Sequence, residues 1–280
     1  MRLIEQPDEM AEFVGQEPVV LVPTMGALHE GHATLVREAR QLAGKNGTVV
    51  VSIFVNPTQF GPGEDFESYP RDLDADQETC SEAGADVIFH PSASDMYAGD
   101  ASIAITESSL SKLLCGASRP THFAGVCTVV AKLFNLVRPD IAVFGKKDYQ
   151  QLAIIRRLVR DLNMGVKLHG VETVREGDGL AMSSRNTYLS EEERAQAPAI
   201  RRALLGANLE LGADEMVGEI ASVLRRDAPL SEIDYLELVD AETLERIGQV
   251  GNRPALLAAA VYFGKTRLID NLEINWESAL

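Results

Sequence analysis

From residue 19 onward, short β-branched apolar runs alternate with stretches whose apolar positions recur at helical spacing. Residues 19–22 are followed by 31–42, then come 48–55, 86–90, 125–137, 141–144, 149–162 and 167–171. Runs such as Val49-Val50-Val51-Ser52-Ile53-Phe54-Val55 are apolar at successive positions rather than at alternate ones. That is the pattern of a central strand in a parallel sheet covered by helices on both faces. The expected fold class is α/β, a Rossmann-like doubly wound parallel sheet. In such sheets ligands bind beyond the C-terminal strand ends, where the strand order reverses. Polar clusters fall there in the sequence: residues 24–32 after the first run, Asn56-Pro57-Thr58-Gln59-Phe60 after the second, and Gly145-Lys146-Lys147-Asp148 after 141–144.

The rhythm changes after residue 174. A Gly- and Ser-containing stretch, 175–186, precedes Ser190-Glu191-Glu192-Glu193, where Ser190 with Glu193 three residues later predicts a capping box opening a long helix. Alternation over 234–240, then runs at 256–263 and 266–269, predict a small half-exposed antiparallel sheet. The boundary is therefore drawn at 174, giving a domain of residues 1–174 and a smaller C-terminal α+β domain of 175–280.

Composition narrows the partners. The chain has 280 residues, 45% hydrophobic and 24% charged, as ordinary globular proteins do. Its 26 Lys and Arg against 42 Asp and Glu give −16, which opposes nonspecific attraction to nucleic acid or to an anionic bilayer. If the substrate is a polyanion, Lys146, Lys147, Arg119 and Arg185 are the candidates for drawing it in. The longest apolar run, 255–263, is far short of a membrane span, and the first residues hold no apolar stretch of signal-peptide length. A cytoplasmic protein without membrane partners is expected. Cys80, Cys115 and Cys127, odd in number and without C-x-x-C spacing, read as free, mostly buried thiols.

The chemistry concentrates in His29-Glu30-Gly31-His32, two imidazoles three residues apart where a strand hands over to a helix. The first N–H groups of a helix have no partner within it and its dipole is positive there, so this turn suits a nucleoside triphosphate. Pro23-Thr24-Met25-Gly26 adds a rigid turn and a position without Cβ, as a loop approaching a ligand by its backbone needs. In Gly145-Lys146-Lys147-Asp148, the backbone and Lys147 can reach phosphate, while Asp148 caps the following helix or holds a ribose hydroxyl. Met182-Ser183-Ser184-Arg185 offers two hydroxyls and a guanidinium on a mobile-looking loop suited to closing late over a triphosphate; the alternative is a domain linker with an incidental arginine. Asp72, Asp74 and Asp76 are either magnesium contributors or an exposed acidic helix face, and the metal ligands stay unassigned.

Pro23-Thr24-Met25-Gly26-Ala27-Leu28-His29-Glu30-Gly31-His32, the segment from Ser52 to Phe60, Tyr69-Pro70-Arg71, Asp148-Tyr149-Gln150-Gln151, Met182-Ser183-Ser184-Arg185-Asn186 and Thr266-Arg267-Leu268-Ile269-Asp270-Asn271 together resemble, in order and spacing, the motifs of the pantothenate synthetase (pantoate–β-alanine ligase) family. The resemblance covers essentially the whole chain. It implies a nucleotidyltransferase domain of the HIGH-motif superfamily, a C-terminal domain acting as a lid, and a homodimer. The implied reaction has two steps: pantoate's carboxylate attacks the α-phosphorus of ATP, with Mg2+, to give pantoyl adenylate and pyrophosphate, and β-alanine then displaces AMP. The implied ATP site comprises Met25, Gly26, Ala27, Leu28, His29, Glu30, Gly31, His32, Gly145, Lys146, Lys147, Asp148, Val174, Met182, Ser183, Ser184 and Arg185. His32, His29, Lys147 and Arg185 are the implied catalytic residues, and Gln59 and Gln151 the implied partners of pantoate and β-alanine. An amide can hold hydroxyls and a carboxylate oxygen without neutralising the nucleophile. Arg119 and His122 resemble a further family segment, with Thr121 in place of the usual glycine, and form a second tier. Lys146 stands where the family more often has an acidic residue.

Two other classes compete. An aminoacyl-tRNA synthetase fragment or another adenylyltransferase leaves the Gln59/Gln151 pair unexplained, and the first would need a basic surface. A non-catalytic nucleotide sensor would bind ATP without turnover and has no use for a closing loop at Ser183-Ser184-Arg185.

Overall fold

The computed structural model describes residues 1–13 and 15–275. In chain order its elements begin with β1 (Arg2–Ile4), α1 (Pro7–Glu12), β2 (Val19–Thr24), α2 (Glu30–Ala43), β3 (Thr48–Ile53), α3 (Leu73–Ala83), β4 (Val87–Phe89) and α4 (Ala93–Met96). Next come α5 (Cys115–Ser118), α6 (His122–Val137), β5 (Ile141–Gly145), α7 (Tyr149–Asp161) and β6 (Lys167–Val171). The last part holds α8 (Glu191–Gln196), α9 (Ala199–Leu205), α10 (Ala213–Asp227), β7 (Ser231–Asp240), β8 (Ala255–Phe263) and β9 (Thr266–Ile274).

The chain divides into two compact units. The first contains Met1–Ser108, Arg119–Lys146 and Gln151–Glu172; the second contains Ser109–Ser118, Lys147–Gln150 and Thr173–Leu280. A single boundary at 174 does not anticipate the two short segments that join the second unit.

In the first unit, six strands form one all-parallel sheet in the order β1-β4-β3-β2-β5-β6. This is the α/β doubly wound architecture. Every residue of β3 is buried, and β2 is buried from Val19 to Val22, because helices cover both faces. Small residues make close covering possible: α2 lays Ala33, Val36, Ala39 and Ala43 on the core shared with Val20, Val22, Val49 and Val51. The chain runs from β2 outward to β3 and β4 on one side, and later to β5 and β6 on the other. The order therefore reverses between β2 and β5, and the segments after β3, β2 and β5 leave adjacent strand ends.

In the second unit β7, β8 and β9 form an antiparallel sheet. Its core joins Leu257, Ala259, Val261 and Phe263 of β8 to Ile200, Leu204, Met216, Ile220 and Leu224 of the helices. Two expectations need correction. The sheet is not half-exposed throughout, since β8 buries both its odd and its even positions apart from a half-buried Tyr262. The capping box at Ser190 and Glu193 is present, but the helix it opens is short. Pro198 lacks a backbone N–H, so the chain breaks after α8 and restarts as α9.

Candidate active site

His29 is the N-cap of α2, and the two histidines cap the helix reciprocally. The Gly31 N–H donates to His29 Nδ1 at 3.1 Å and the His29 N–H to His32 Nδ1 at 3.4 Å, with ring centroids 4.2 Å apart. An Nδ1 that accepts from a backbone N–H cannot carry the proton of a neutral ring, so both imidazoles keep theirs on Nε2. Each ring thus uses one nitrogen to hold the helix start, at the positive end of the α2 dipole, and carries its N–H on the other.

The turn before them is held from outside. Gly26 sits at φ +86, and a Cβ there would meet Asp76 Oδ2 at 2.8 Å; Ala27 also lies at positive φ. Thr24 Oγ1 donates to the Ser52 carbonyl at 2.7 Å, which ties the end of β2 to β3. Asp76 is buried and accepts the Ala27 N–H at 3.1 Å and the Leu28 N–H at 2.7 Å. It is therefore not part of an exposed acidic face. Asp72 is the N-cap of α3, accepting from the Ala75 N–H, and Asp74 is exposed. Burial pushes the Asp76 carboxyl up, the two N–H donors pull it back only in part, and the net direction is above its ordinary value. A carboxyl raised on folding stabilises the fold most below its unfolded value and loses that contribution as pH rises through the folded one. Asp76→Asn turns an amide NH2 toward one of those N–H groups, so a loss of about 1–3 kcal/mol in unfolding free energy is expected, and denaturant unfolding checks it.

After β3, Asn56 and Gln59 form one buried network. Asn56 Oδ1 accepts from Tyr97 OH at 2.8 Å and Thr58 Oγ1 at 2.9 Å, while its Nδ2 donates to Gln59 Oε1 at 3.1 Å and to the Gly125 carbonyl at 3.2 Å. Burial pushes the Tyr97 phenol up, which keeps it protonated as a donor. Gln59 Nε2 donates to Met25 Sδ at 2.9 Å, so the segments after β2 and β3 meet at this side chain. One amide hydrogen and one oxygen lone pair of Gln59 are left for a ligand.

The first turn of α6 closes on the same residue. His122 Nδ1 donates to the Gln59 carbonyl at 2.9 Å, which places the His122 proton on Nδ1, opposite to His29 and His32. Arg119 reaches that carbonyl at 3.4 Å and pairs with Glu64 through two bonds of 2.7 and 2.6 Å. Burial opposes ionisation of Glu64, but the Arg119 hydrogen bond and charge outweigh it and hold the carboxyl below its usual range. Gly125 lets α6 come this near: a Cβ would stand 2.4 Å from the Thr58 carbonyl oxygen and 2.6 Å from the Gln59 nitrogen. Arg119 and His122 therefore touch Gln59 through its backbone, a relation not legible in the sequence.

The two adjacent glutamines of α7 differ. Gln150 is buried and fastens residues 110–115, accepting from the Cys115 N–H at 2.9 Å and donating to the carbonyls of Leu110 at 2.9 Å and Leu113 at 2.6 Å. Gln151, the residue singled out from the sequence, is half-buried, and its side chain makes no hydrogen bond to the described residues. Lys146 pairs with Glu172, and Lys147 lies 3.6 Å from Asp148.

Within the second unit, the stretch from Arg175 to Asn186 is pinned as a hairpin rather than loose. Arg175 makes a two-bond pair with buried Asp270 at 2.8 and 2.9 Å, Arg194 binds Glu176 and Asp178, and Asn186 Nδ2 donates to Glu176 at 2.7 Å. Ser183 caps the 3-10 turn Ser184–Tyr188, accepting from the Arg185 N–H at 3.3 Å. Asn271 Nδ2 donates to the Lys147 carbonyl at 3.0 Å, which ties the Thr266–Asn271 segment to Lys147.

Among the described residues no three His, Cys, Asp or Glu side chains cluster as a metal site, and no helix is long and apolar enough to cross a membrane. The three cysteines are free and buried, with burial pushing Cys80 up to about 12 and Cys127 to about 11.

The family model for pantoate-beta-alanine ligase matches residues 2–273. The pantothenate synthetase of Akkermansia muciniphila is 58% identical over 259 residues, 91% of this chain and 92% of that protein. That of Thermotoga neapolitana is 50% identical over 285 residues, 97% and 99% of the two chains. The crystal structure of pantothenate synthetase from Thermus thermophilus superposes with a TM-score of 0.91 at 46% identity, covering 98% of this chain and 100% of that one. The pantoate-beta-alanine ligase from Francisella tularensis, complexed with beta-gamma ATP and beta-alanine, gives 0.80 at 32% identity, with 97% of each chain covered.

Proposed function

We propose, for a chain that belongs to the pantoate–β-alanine ligase family, that the His29–His32 turn takes the triphosphate and the Gln59 amide takes pantoate. The enzyme joins pantoate to β-alanine with ATP by way of a pantoyl adenylate, releasing AMP and pyrophosphate. A carboxylate is a poor acyl donor at neutral pH, and adenylation gives it a stable leaving group. The observation that carries the assignment is the contact of Gln59 Nε2 with Met25 Sδ, which joins the acid-binding amide to the start of the triphosphate turn within one unit.

The Nε2–H groups of His29 and His32, with the N-terminal amides of α2, meet the charge that develops on pyrophosphate as it leaves. Asp76 holds Ala27 and Leu28 in the turn, so those donors need no reorganisation when the nucleotide arrives. Lys147 and Arg185 add positive charge to the phosphates. Ser183 and Ser184, with Met182 and Val174, line the nucleotide, and the second unit serves as the lid that keeps water from the adenylate. Gln151 joins Gln59 in binding the small acid or the amine. Magnesium enters as part of the nucleotide substrate, held chiefly by the phosphates and waters. A homodimer is carried over from the resemblance, and three free thiols accord with a reducing cytoplasm.

Pantoate labelled with oxygen-18 in its carboxylate tests the chemistry. One labelled oxygen appears in AMP if the carboxylate attacks the α-phosphorus, and unlabelled AMP contradicts an adenylate. Gln59→Ala is expected to raise the KM for pantoate at least tenfold, since it removes both a donor and an acceptor, while changing the KM for ATP less than threefold. Steady-state titrations of each substrate decide it; equal effects on both place pantoate elsewhere.

A further inference from the structure

Arg119 stands beside the acid-binding residue as a charge without an evident task. Its guanidinium lies 3.4 Å from the Gln59 carbonyl oxygen, and both it and Glu64 are half-buried. A bare guanidinium there would attract the carboxylate of the substrate. A tightly paired carboxylate has a lower ground state and is a weaker nucleophile, so the gain in binding would be lost in the step that follows.

Glu64 answers that charge with two hydrogen bonds of 2.7 and 2.6 Å, the fork geometry of a bidentate pair. The bond to the Gln59 carbonyl is longer, and His122 already supplies a donor to that oxygen at 2.9 Å. Arg119 is thus not required to satisfy the carbonyl. The main partner of Arg119 is Glu64, and the segment carrying Glu64 is folded against itself by the Glu64 N–H to the Gly61 carbonyl and by the Phe60–Phe66 and Phe60–Tyr69 ring contacts.

We propose that Glu64 is a positioning residue that masks the Arg119 charge, so that the site orients Gln59 by hydrogen bonding while leaving the substrate carboxylate free to attack. The inference rests on Gln59 as the partner of pantoate. It assigns Arg119 a role different from direct substrate binding: the guanidinium and Glu64 together present a neutral, rigid backing to the pantoate pocket.

A structural role and a masking role move the constants in opposite directions. Glu64→Gln keeps a hydrogen-bond acceptor for Arg119 and removes the negative charge. The KM for pantoate is expected to fall roughly 3- to 30-fold, for a unit charge acting across a part-buried site, and kcat to fall by a similar factor, leaving kcat/KM within about threefold. Arg119→Gln leaves Glu64 unmatched near an anion, so the KM for pantoate rises at least about tenfold. The double variant Glu64→Gln/Arg119→Gln returns the KM to within about threefold of the unaltered enzyme, because the two charges leave together. A rise in KM for Glu64→Gln, or a double variant at least as impaired as Arg119→Gln, overturns the proposal. Should Glu64→Gln not fold, the comparison of Arg119→Gln with the double variant decides alone. If the unaltered enzyme shows saturation by pantoate while these shifts are missing, only the masking role fails; if it shows no response to pantoate, the assignment of Gln59 fails with it.

Discussion

His32→Ala is expected to slow formation of the pantoyl adenylate by about 10²–10³-fold in a single-turnover quench experiment, the loss seen when one preorganised donor to a developing charge is removed. The substitution deletes the Nε2–H donor and also the Nδ1 that receives the His29 N–H. Loss of the cap alone costs about 1 kcal/mol of stability, so the variant remains folded. His32→Gln separates the two effects, since a glutamine three residues after the N-cap can reach back to the same N–H. Its thermal midpoint should return to that of the unaltered enzyme while adenylation stays well below it. Adenylate formation within threefold of normal in His32→Ala would remove the ring from the chemistry.

Gly125→Ala is expected to disrupt the buried network around Gln59. The new Cβ would need to occupy space 2.4 Å from a backbone oxygen and 2.6 Å from a backbone nitrogen, and neither can rotate away as a side chain can. Either α6 or the Pro57–Gln59 turn must move. That displaces the Gly125 carbonyl from Asn56, and Asn56 from Gln59. A stability loss of about 1–3 kcal/mol is expected, with a rise of at least about tenfold in the KM for pantoate, because a small misplacement of a positioning group is costly. Binding of ATP in the absence of pantoate should change less, since Asp76 holds Ala27 and Leu28 of the His29–His32 turn independently of α6. Isothermal titration with a non-hydrolysable ATP analogue, beside pantoate kinetics, separates the two. A normal KM for pantoate would show that α6 does not set the position of Gln59.

The parts of the molecule legible in the sequence are those set by local pattern. Val-rich runs buried on both faces mark β2 and β3, and the capping box of Ser190 and Glu193 marks a helix start, because each depends on residues within a few positions. The groups that tune the site escape such reading, for they act over long separations. Asp76 binds a turn 48 and 49 residues away. Its one local signal is that Asp76, Cys80 and Ala83 share a buried helix face at spacings of four and three, which argues against an exposed acid. Gly125 carries a similar signal, a glycine inside an apolar helix where it costs about 1 kcal/mol relative to alanine and so calls for a packing reason. Gln150 and Gln151 differ in role only because successive helix residues face different directions, which no motif distinguishes. Pro198 was legible in principle, and the capping box before it drew the expectation of a longer helix than the proline permits.

The most direct measurement is ATP–pyrophosphate exchange by the purified enzyme with magnesium, in the absence of β-alanine, as a function of pantoate concentration. The account predicts no exchange without pantoate and a saturable rise with it, because activation of the acid is complete before the amine enters. Exchange indifferent to pantoate, or none until β-alanine is supplied, would contradict it.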